Sequence, residues 1–151
     1  MKYLLIAFFI LLRIGDSSKD YTSSTGLYHI KIPDTWFVEV TGKWGEKYLK
    51  KGEYKGDFDI DVRTFLKETD AKASYFELLP TFKNAKLTRL NDVEVVICSG
   101  IFDGEQEYNW VFYFNKYEVW CQYKLDPKTP DKKELADVTK CIESMVFFDI
   151  E

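Results

Sequence analysis

The stretch between Val93 and Leu125 constrains the fold of this chain more than any other. Two turn signals, Asp103-Gly104 and Asn115-Lys116, divide it into three segments that alternate as β-strands do. Asp-Gly between alternating segments is typical of a two-residue hairpin loop. The pattern therefore predicts an antiparallel meander with strands at 93–102, 108–114 and 117–125.

The two turns also predict the register, because Phe102 must then oppose Glu105 and Phe114 must oppose Tyr117. One face of the meander collects Val93, Val95, Ile97, Trp110, Phe112, Phe114, Val119, Cys121, Tyr123 and Leu125. The other face is mixed and collects Glu94, Val96, Cys98, Asn109, Val111, Tyr113, Glu118, Trp120 and Gln122. The apolar face needs a cover, and a helix over 131–145 supplies one through Leu135, Val138, Ile142 and Met145.

Upstream of the meander the pattern predicts further strands at 27–32, 36–40, 47–51 and 58–66. Between residues 70 and 85 the period changes to that of a helix, with Ser74 and Glu77 as a capping box and Pro80 as a break. The fold class is therefore α+β, built on an antiparallel sheet with the C-terminal helix packed on the meander.

The first 17 residues resemble a secretory signal peptide. Lys2 precedes ten apolar residues, Tyr3 to Leu12, which are too few to cross a bilayer as a helix, and Gly15 and Ser17 place a cut after Ser17. Residues 18–26 are polar and are predicted to be a flexible tether, with a single domain at 27–151. The alternative is an uncleaved N-terminal anchor, because Arg13 stands unusually close to the apolar run.

Removing residues 1–17 takes away two of the 21 basic and one of the 25 acidic residues, which leaves a net charge of −5. That balance provides no basic field for nucleic acid or for anionic lipid. We therefore expect no nucleic-acid partner and no membrane insertion after signal removal. An exported chain is expected in the periplasm or outside the cell.

The three cysteines allow one internal disulfide at most. Cys121 and Cys141 are the possible pair, because Cys98 lies on the opposite face of the meander; buried free thiols are the alternative. His29 is the single histidine, so a zinc site of the usual Cys/His type lacks ligands. We predict no metal and no cofactor.

The acidic run from Asp57 to Asp61 carries carboxylates at positions 1, 3 and 5 of a calcium loop. Val62 stands where such a loop needs glycine, so an alternating strand is the favoured interpretation. No Gly-x-Ser-x-Gly motif is present, and His29 alternates outward on its strand. No catalytic residues are therefore predicted.

The best binding candidates lie on the mixed face of the meander. Val111, Tyr113 and Trp120 form an aromatic cluster that suits a protein-binding patch if it is exposed. The competing interpretation, which we favour, is that the helix within 70–85 covers this cluster. Trp44, in a glycine-flanked loop, is a second candidate.

The order of elements is similar to that of the PsbP-like superfamily. The motif Ile32-Pro33-Asp34-Thr35-Trp36 resembles its opening, and 142–147 (Ile-Glu-Ser-Met-Val-Phe) resembles its close, with Met145 in place of the usual aromatic residue. The resemblance covers residues 27–148. It implies an antiparallel sheet sandwiched between helices, in proteins that mostly bind other proteins, and it carries over no site residues.

Together these features predict an exported, non-catalytic protein-binding or accessory domain with a protein partner. The alternative is a small-molecule carrier or enzyme with a pocket between sheet and helix, and a third possibility is an immunity partner of a secreted toxin. A carrier should enclose a cavity with convergent polar groups, whereas a binding module should have a filled core and an exposed apolar patch.

Overall fold

The computed structural model describes residues 17–50 and 55–150. In this part of the chain ten strands and two helices follow one another. Their bounds are β1 Ser18–Thr22, β2 Tyr28–Pro33, β3 Trp36–Val40, β4 Gly45–Lys50, β5 Gly56–Thr64, α1 Ala71–Leu78, β6 Lys86–Leu90, β7 Val93–Phe102, β8 Glu105–Phe114, β9 Tyr117–Leu125, α2 Lys132–Glu143 and β10 Val146–Phe147.

The strands form two antiparallel sheets. The large sheet has seven strands in the order β3-β4-β5-β9-β8-β7-β6, and the small sheet has the order β1-β2-β10. More residues lie in strands than in helices, and the predicted α+β class is confirmed. None of the helices within the described ranges is long and apolar enough to cross a membrane.

The predicted register of the meander is confirmed. Phe102 pairs with Glu105 and Phe114 with Tyr117, as two-residue loops require. Asp103, Gly104 and Asn115 have φ of 49°, 87° and 52°, the left-handed conformation of such turns. A further hairpin, β6–β7, was not predicted; its turn uses Asn91 and Asp92, also at positive φ.

The apolar face of the meander forms the main core, as predicted. Helix α2 packs on it through Val138, Cys141 and Ile142, and Asp131 caps the helix by accepting a hydrogen bond from the Glu134 amide. The small sheet covers the rest of this face, and Tyr28 and Ile30 lie in the same core. The cover is thus one helix plus a second sheet, a feature that the sequence did not indicate.

Helix α1 packs on the mixed face, where its Ala71 and the following Phe82 contact a second core around Val96 and Val111. It ends two residues before Pro80, as the missing amide of proline requires. The predicted capping box at Ser74 is wrong, because Asp70 is the N-cap and accepts from the Lys72 and Ala73 amides. Helix α1 is eight residues long, and on this face the side chains of β3, β4 and β5 are exposed or half-buried.

The prediction of a flexible tether at 18–26 is wrong for its first half. Residues 18–22 form β1, and all five pair with β2, from Ser18 opposite Pro33 to Thr22 opposite His29. Strand β2 would otherwise leave one edge of backbone N–H and C=O groups without partners, and the pairing satisfies them. The predicted signal peptide lies outside the described residues apart from Ser17.

The predicted Cys121–Cys141 disulfide is also wrong, because all three cysteines are free and buried. The Cys121 thiol lies 3.8 Å from the Met145 sulfur instead. Both cysteines belong to the main core, where they pack as small apolar side chains. Cys98 belongs to the second core on the opposite face, as the register requires.

Candidate functional site

The structure brings the predicted binding residues together but covers most of them. Val111 is fully buried and Tyr113 is 7% exposed, both beneath α1, so the competing interpretation of a covered cluster holds. Trp120 is half-buried. Trp44 is also half-buried; it packs on the main core with the Lys43 ammonium 5.0 Å from its ring centre.

An open groove of about 770 Å³ runs beside α1, with Tyr113 reaching its floor. We call it the α1 groove. One wall is the chain from Arg63 to Asp70, which joins β5 to the helix. The other wall is α1 itself, through Ala73, Ser74 and Glu77.

The β5–α1 loop holds its apolar side chains out towards solvent. Leu66 is fully exposed, and the neighbouring Phe65 is 46% exposed. The loop is nevertheless anchored at both ends, since the Phe65 amide donates to the Lys116 carbonyl and the Thr69 amide donates to the Asn115 carbonyl, each at 2.8 Å. These two residues are therefore presented on a positioned backbone.

The floor of the groove combines a buried hydroxyl with a buried carboxylate. The Tyr113 hydroxyl makes no hydrogen bond of standard geometry within the described ranges, and the Ser74 side chain is the neighbouring hydroxyl that interacts with it most closely in its effect on the pKa. Burial raises the pKa of Tyr113 to about 12, and Glu118 and Glu77 add to the rise while Ser74 opposes it. A polar atom of a ligand in the groove could therefore form a hydrogen bond at this floor.

Glu118 is 7% exposed and accepts one hydrogen bond, from the Arg63 guanidinium at 3.3 Å. Burial raises the pKa of Glu118, whereas Arg63 lowers it. The same guanidinium lies 5.3 Å from the ring centre of Trp120, so a cation–π contact also holds it in place. Trp120 thereby supports the groove without lining it.

A second open groove, of about 450 Å³, lies at the other end of α1 beside the β7–β8 turn. Trp120 lines it, and the indole N–H donates to the Asn109 side-chain oxygen at 3.0 Å. Gln122 donates to the same oxygen and to Glu107, which forms a longer ion pair with Lys124. Its polar groups mostly satisfy one another, so this groove is the weaker binding candidate.

The interface between the large sheet and α2 is filled. The space enclosed there measures only about 10 Å³ and lies beside Glu134. Glu134 accepts from the Tyr123 hydroxyl at 2.7 Å and from the Gly56 amide at 2.9 Å. A side chain at Gly56 would place its Cβ against the Tyr123 ring and the Lys124 carbonyl, so the close approach needs glycine.

One buried polar cluster was missed by the sequence reasoning. The Glu46 carboxylate is 3% exposed and accepts from the hydroxyls of Tyr21, Tyr28 and Tyr48 at 2.9, 2.5 and 2.9 Å, and from the Ser24 amide at 2.6 Å. Three of the four donors come from the β1–β2 hairpin, and Tyr48 comes from β4 itself. No local pattern could have indicated the cluster.

The acidic run at 57–61 behaves as an alternating strand, as expected. Phe58 and Ile60 are buried, whereas Asp57 is exposed and pairs with Lys47 at 2.8 Å. Throughout 17–50 and 55–150, no three His, Cys, Asp or Glu side chains are placed to hold a metal ion together. His29 is exposed on β2, and its ring packs on Phe148 with 4.5 Å between centres.

The buried thiols are weak nucleophiles. Burial raises the pKa of Cys98 to about 11 and that of Cys141 to about 12, and it raises the pKa of Cys121 well above its usual range. The thiolate is the reactive form of cysteine, so a raised pKa lowers reactivity at neutral pH.

No family model matches this sequence, and no curated protein matches it significantly. Several solved structures share its fold, and two of them are informative. A crystal structure at 1.50 Å of a protein from Bacteroides thetaiotaomicron VPI-5482 has a TM-score of 0.66 at 16% identity and covers 87% of this chain. The match spans 48% of that protein, so this chain corresponds to about half of its length.

The second structure is the solution structure of cyanobacterial PsbP (CyanoP) from Synechocystis sp. PCC 6803. Its TM-score is 0.65 at 9% identity, and the match covers 88% of this chain and 94% of CyanoP. The antiparallel α+β fold described above is therefore a PsbP-like fold. Identities this low show the fold alone.

Proposed function

We propose that this chain is a non-catalytic protein-binding or accessory domain that engages a protein partner through the α1 groove and its loop. The observation that carries the proposal is the full exposure of Leu66, beside the half-exposed Phe65, on a loop whose backbone is anchored at both ends. Exposed apolar side chains on a positioned backbone, rimmed by charged residues, are typical of binding surfaces.

The filled core supports a binding module over a carrier or an enzyme. A small-molecule site encloses several hundred Å³, whereas the space between the large sheet and α2 is about 10 Å³. A cleft of about 300 Å³ between β2 and α2 is open to solvent rather than enclosed. The raised pKa values of the three thiols argue in the same direction, because they leave no activated sulfur nucleophile.

The proposal also states that this domain functions outside the cytoplasm, and this part rests on the N-terminal sequence. The apolar run from Tyr3 to Leu12, with Lys2 before it, supports export. Fractionation of the host's cells, with N-terminal sequencing of the recovered protein, tests this. A new N-terminus at Ser18 in the exported fraction is the expected result, and an intact chain in the cytoplasm contradicts it.

Site-specific photo-crosslinking in the host tests the binding surface. A photoreactive phenylalanine analogue replaces Leu66 in the full chain, and a matched chain carries it at Ile101, which is 68% exposed at the far end of β7. We expect one discrete protein adduct from position 66, lost when Phe65 is changed to Ser, and no such adduct from position 101. Equal labelling at both positions, or no adduct at 66, would contradict the proposal.

A further inference from the structure

The Tyr113 hydroxyl is the most unusual group in the α1 groove. A buried hydroxyl without a partner is costly, and nearly all such groups in folded proteins are satisfied. Tyr113 is 7% exposed, its hydroxyl has no hydrogen-bond partner among the described residues, and it lines a groove open to solvent. A ligand atom entering the groove is positioned to supply the missing partner.

The charge of the groove indicates which ligand atom that is. Two basic side chains line the groove, Arg63 and Lys67, against four acidic ones, Glu68, Asp70, Glu77 and Glu118. Arg63 is already held by Glu118 and by the ring of Trp120. The groove therefore has an excess of negative charge, and it favours a cationic ligand.

Two carboxylates that line the groove with Tyr113 can accept further hydrogen bonds. Glu118 uses one oxygen for Arg63, and its second oxygen accepts no hydrogen bond from a described residue. Glu77, on the exposed side of α1, forms no ion pair within the described part of the chain. Both line the groove together with Tyr113, so the three groups face the same space.

We propose that the α1 groove binds a protein segment that presents a basic side chain next to an apolar one. The ammonium or guanidinium group donates to the Tyr113 hydroxyl oxygen and to the carboxylates of Glu118 and Glu77. The adjoining apolar side chain packs on Leu66. This inference rests on the proposed function and names the chemistry of its partner.

Two capped dipeptides that differ in one charge test the inference with the full chain. The probes are N-acetyl-Leu-Arg-amide and N-acetyl-Leu-citrulline-amide, which have nearly the same shape, and binding is followed through amide shifts in nitrogen-15 NMR spectra. We expect shifts at Ser74, Glu77, Tyr113 and Glu118. The arginine probe should bind about tenfold more tightly, because hydrogen bonds to charged groups are strong. Equal affinities, or shifts elsewhere, would overturn the inference.

Variants separate the chemistry of the site from the stability of the fold. Tyr113→Phe and Glu118→Gln should each reduce the preference for arginine over citrulline by at least about threefold. Glu143→Gln, which removes an exposed acid on α2, is the charge-matched control and should leave the preference unchanged. Tyr113→Phe removes a buried hydroxyl that makes no hydrogen bond of standard geometry to a described residue, so the variant should melt within a few degrees of the unchanged chain. An undiminished preference in that variant would overturn the role of Tyr113.

The outcome is distinguishable from a failure of the proposed function. If both dipeptides bind the groove equally, the basic-residue chemistry is wrong, while an adduct at position 66 still supports the binding surface. If the dipeptides do not bind and position 66 gives no adduct, both the inference and the proposed function are wrong.

Discussion

At the scale of single residues, Glu46 is the polar group on which the fold depends most. Its carboxylate joins β4 of the large sheet to Tyr21 and Tyr28 of the small sheet. A buried charge is costly unless several donors satisfy it, and here four donors do so. Each of Tyr21, Tyr28 and Tyr48 keeps its proton because burial and the neighbouring carboxylate raise its pKa.

Changing Glu46 to Gln should destabilise the fold by about 2–3 kcal/mol. The amide loses the charge that strengthens four hydrogen bonds, and its NH₂ group faces hydroxyls that donate. Urea unfolding monitored by circular dichroism measures the change. Glu39→Gln, on the exposed side of the neighbouring strand β3, is the matched control and should cost less than about 0.5 kcal/mol. Equal costs for the two variants would contradict the role of Glu46.

The three thiols give a second prediction at this scale. The unfolded chain should release three thiols to a chromogenic disulfide reagent without added reductant, because no cysteine is paired. In the folded chain at pH 8 all three should react slowly, since they are buried and each pKa is raised. Thiolates form only as the pH rises towards those pKa values. A count of one thiol would indicate that the disulfide exists after all.

At the scale of elements, the short helix α1 depends on its first residue. Asp70 accepts hydrogen bonds from the Lys72 and Ala73 amides, both at 3.0 Å, and so satisfies two of the four free N–H groups at the helix start. The helix also forms one wall of the α1 groove. Its start therefore affects both the stability of the fold and the shape of the candidate site.

Replacing Asp70 with Ala should lower the free energy of unfolding by about 1 kcal/mol. Ser74→Ala is the comparison, since the sequence pattern placed the cap there; within the helix it should cost little, as alanine is the better helix former. Urea unfolding of the two variants decides between the two caps. A larger loss from Ser74→Ala than from Asp70→Ala would contradict the N-cap that the structure assigns.

Strand β1 gives the second prediction for an element. Its five residues pair with β2, and Tyr21 reaches Glu46 from it. Backbone amides of residues 18–22 that bond to β2 should therefore exchange with solvent more slowly than those of an unstructured peptide, whereas amides of a tether would not. Hydrogen exchange followed by NMR measures this. Unprotected amides throughout 18–22 would contradict β1 and support the flexible tether that the sequence predicted.

At the scale of the whole molecule, local patterns predicted the meander and α2 well. Asp103-Gly104 and Asn115-Lys116 lie at fixed distances in sequence from alternating apolar residues. The turn positions and the two-residue alternation therefore predict the same strand register. The missed features depend on contacts distant in sequence. Strand β1 pairs with an edge that β2 offers, and the Glu46 cluster takes three of its donors from the β1–β2 hairpin. The predicted residues Tyr113 and Trp120 do support the candidate site, but the exposed Leu66 beside them was not singled out.

The molecule as a whole combines a filled core with an open, acidic groove at one helix. The two cores account for Val111 and most of the aromatic residues. Phe65 and Leu66 of the loop are among the apolar side chains that stay exposed, and Leu66 is the most exposed of these in the described residues. Such a surface agrees with the binding domain that we propose. The central claim is that the partner contacts this loop and α1.

Hydrogen–deuterium exchange of the full chain, with and without the protein captured at position 66, tests that claim most directly. Bound partner should slow exchange in residues 63–77, which span the groove walls, and leave the β7–β8 turn at Asp103 and Gly104 unchanged. Slowed exchange confined to the β7–β8 turn, or no change in 63–77, would contradict the account.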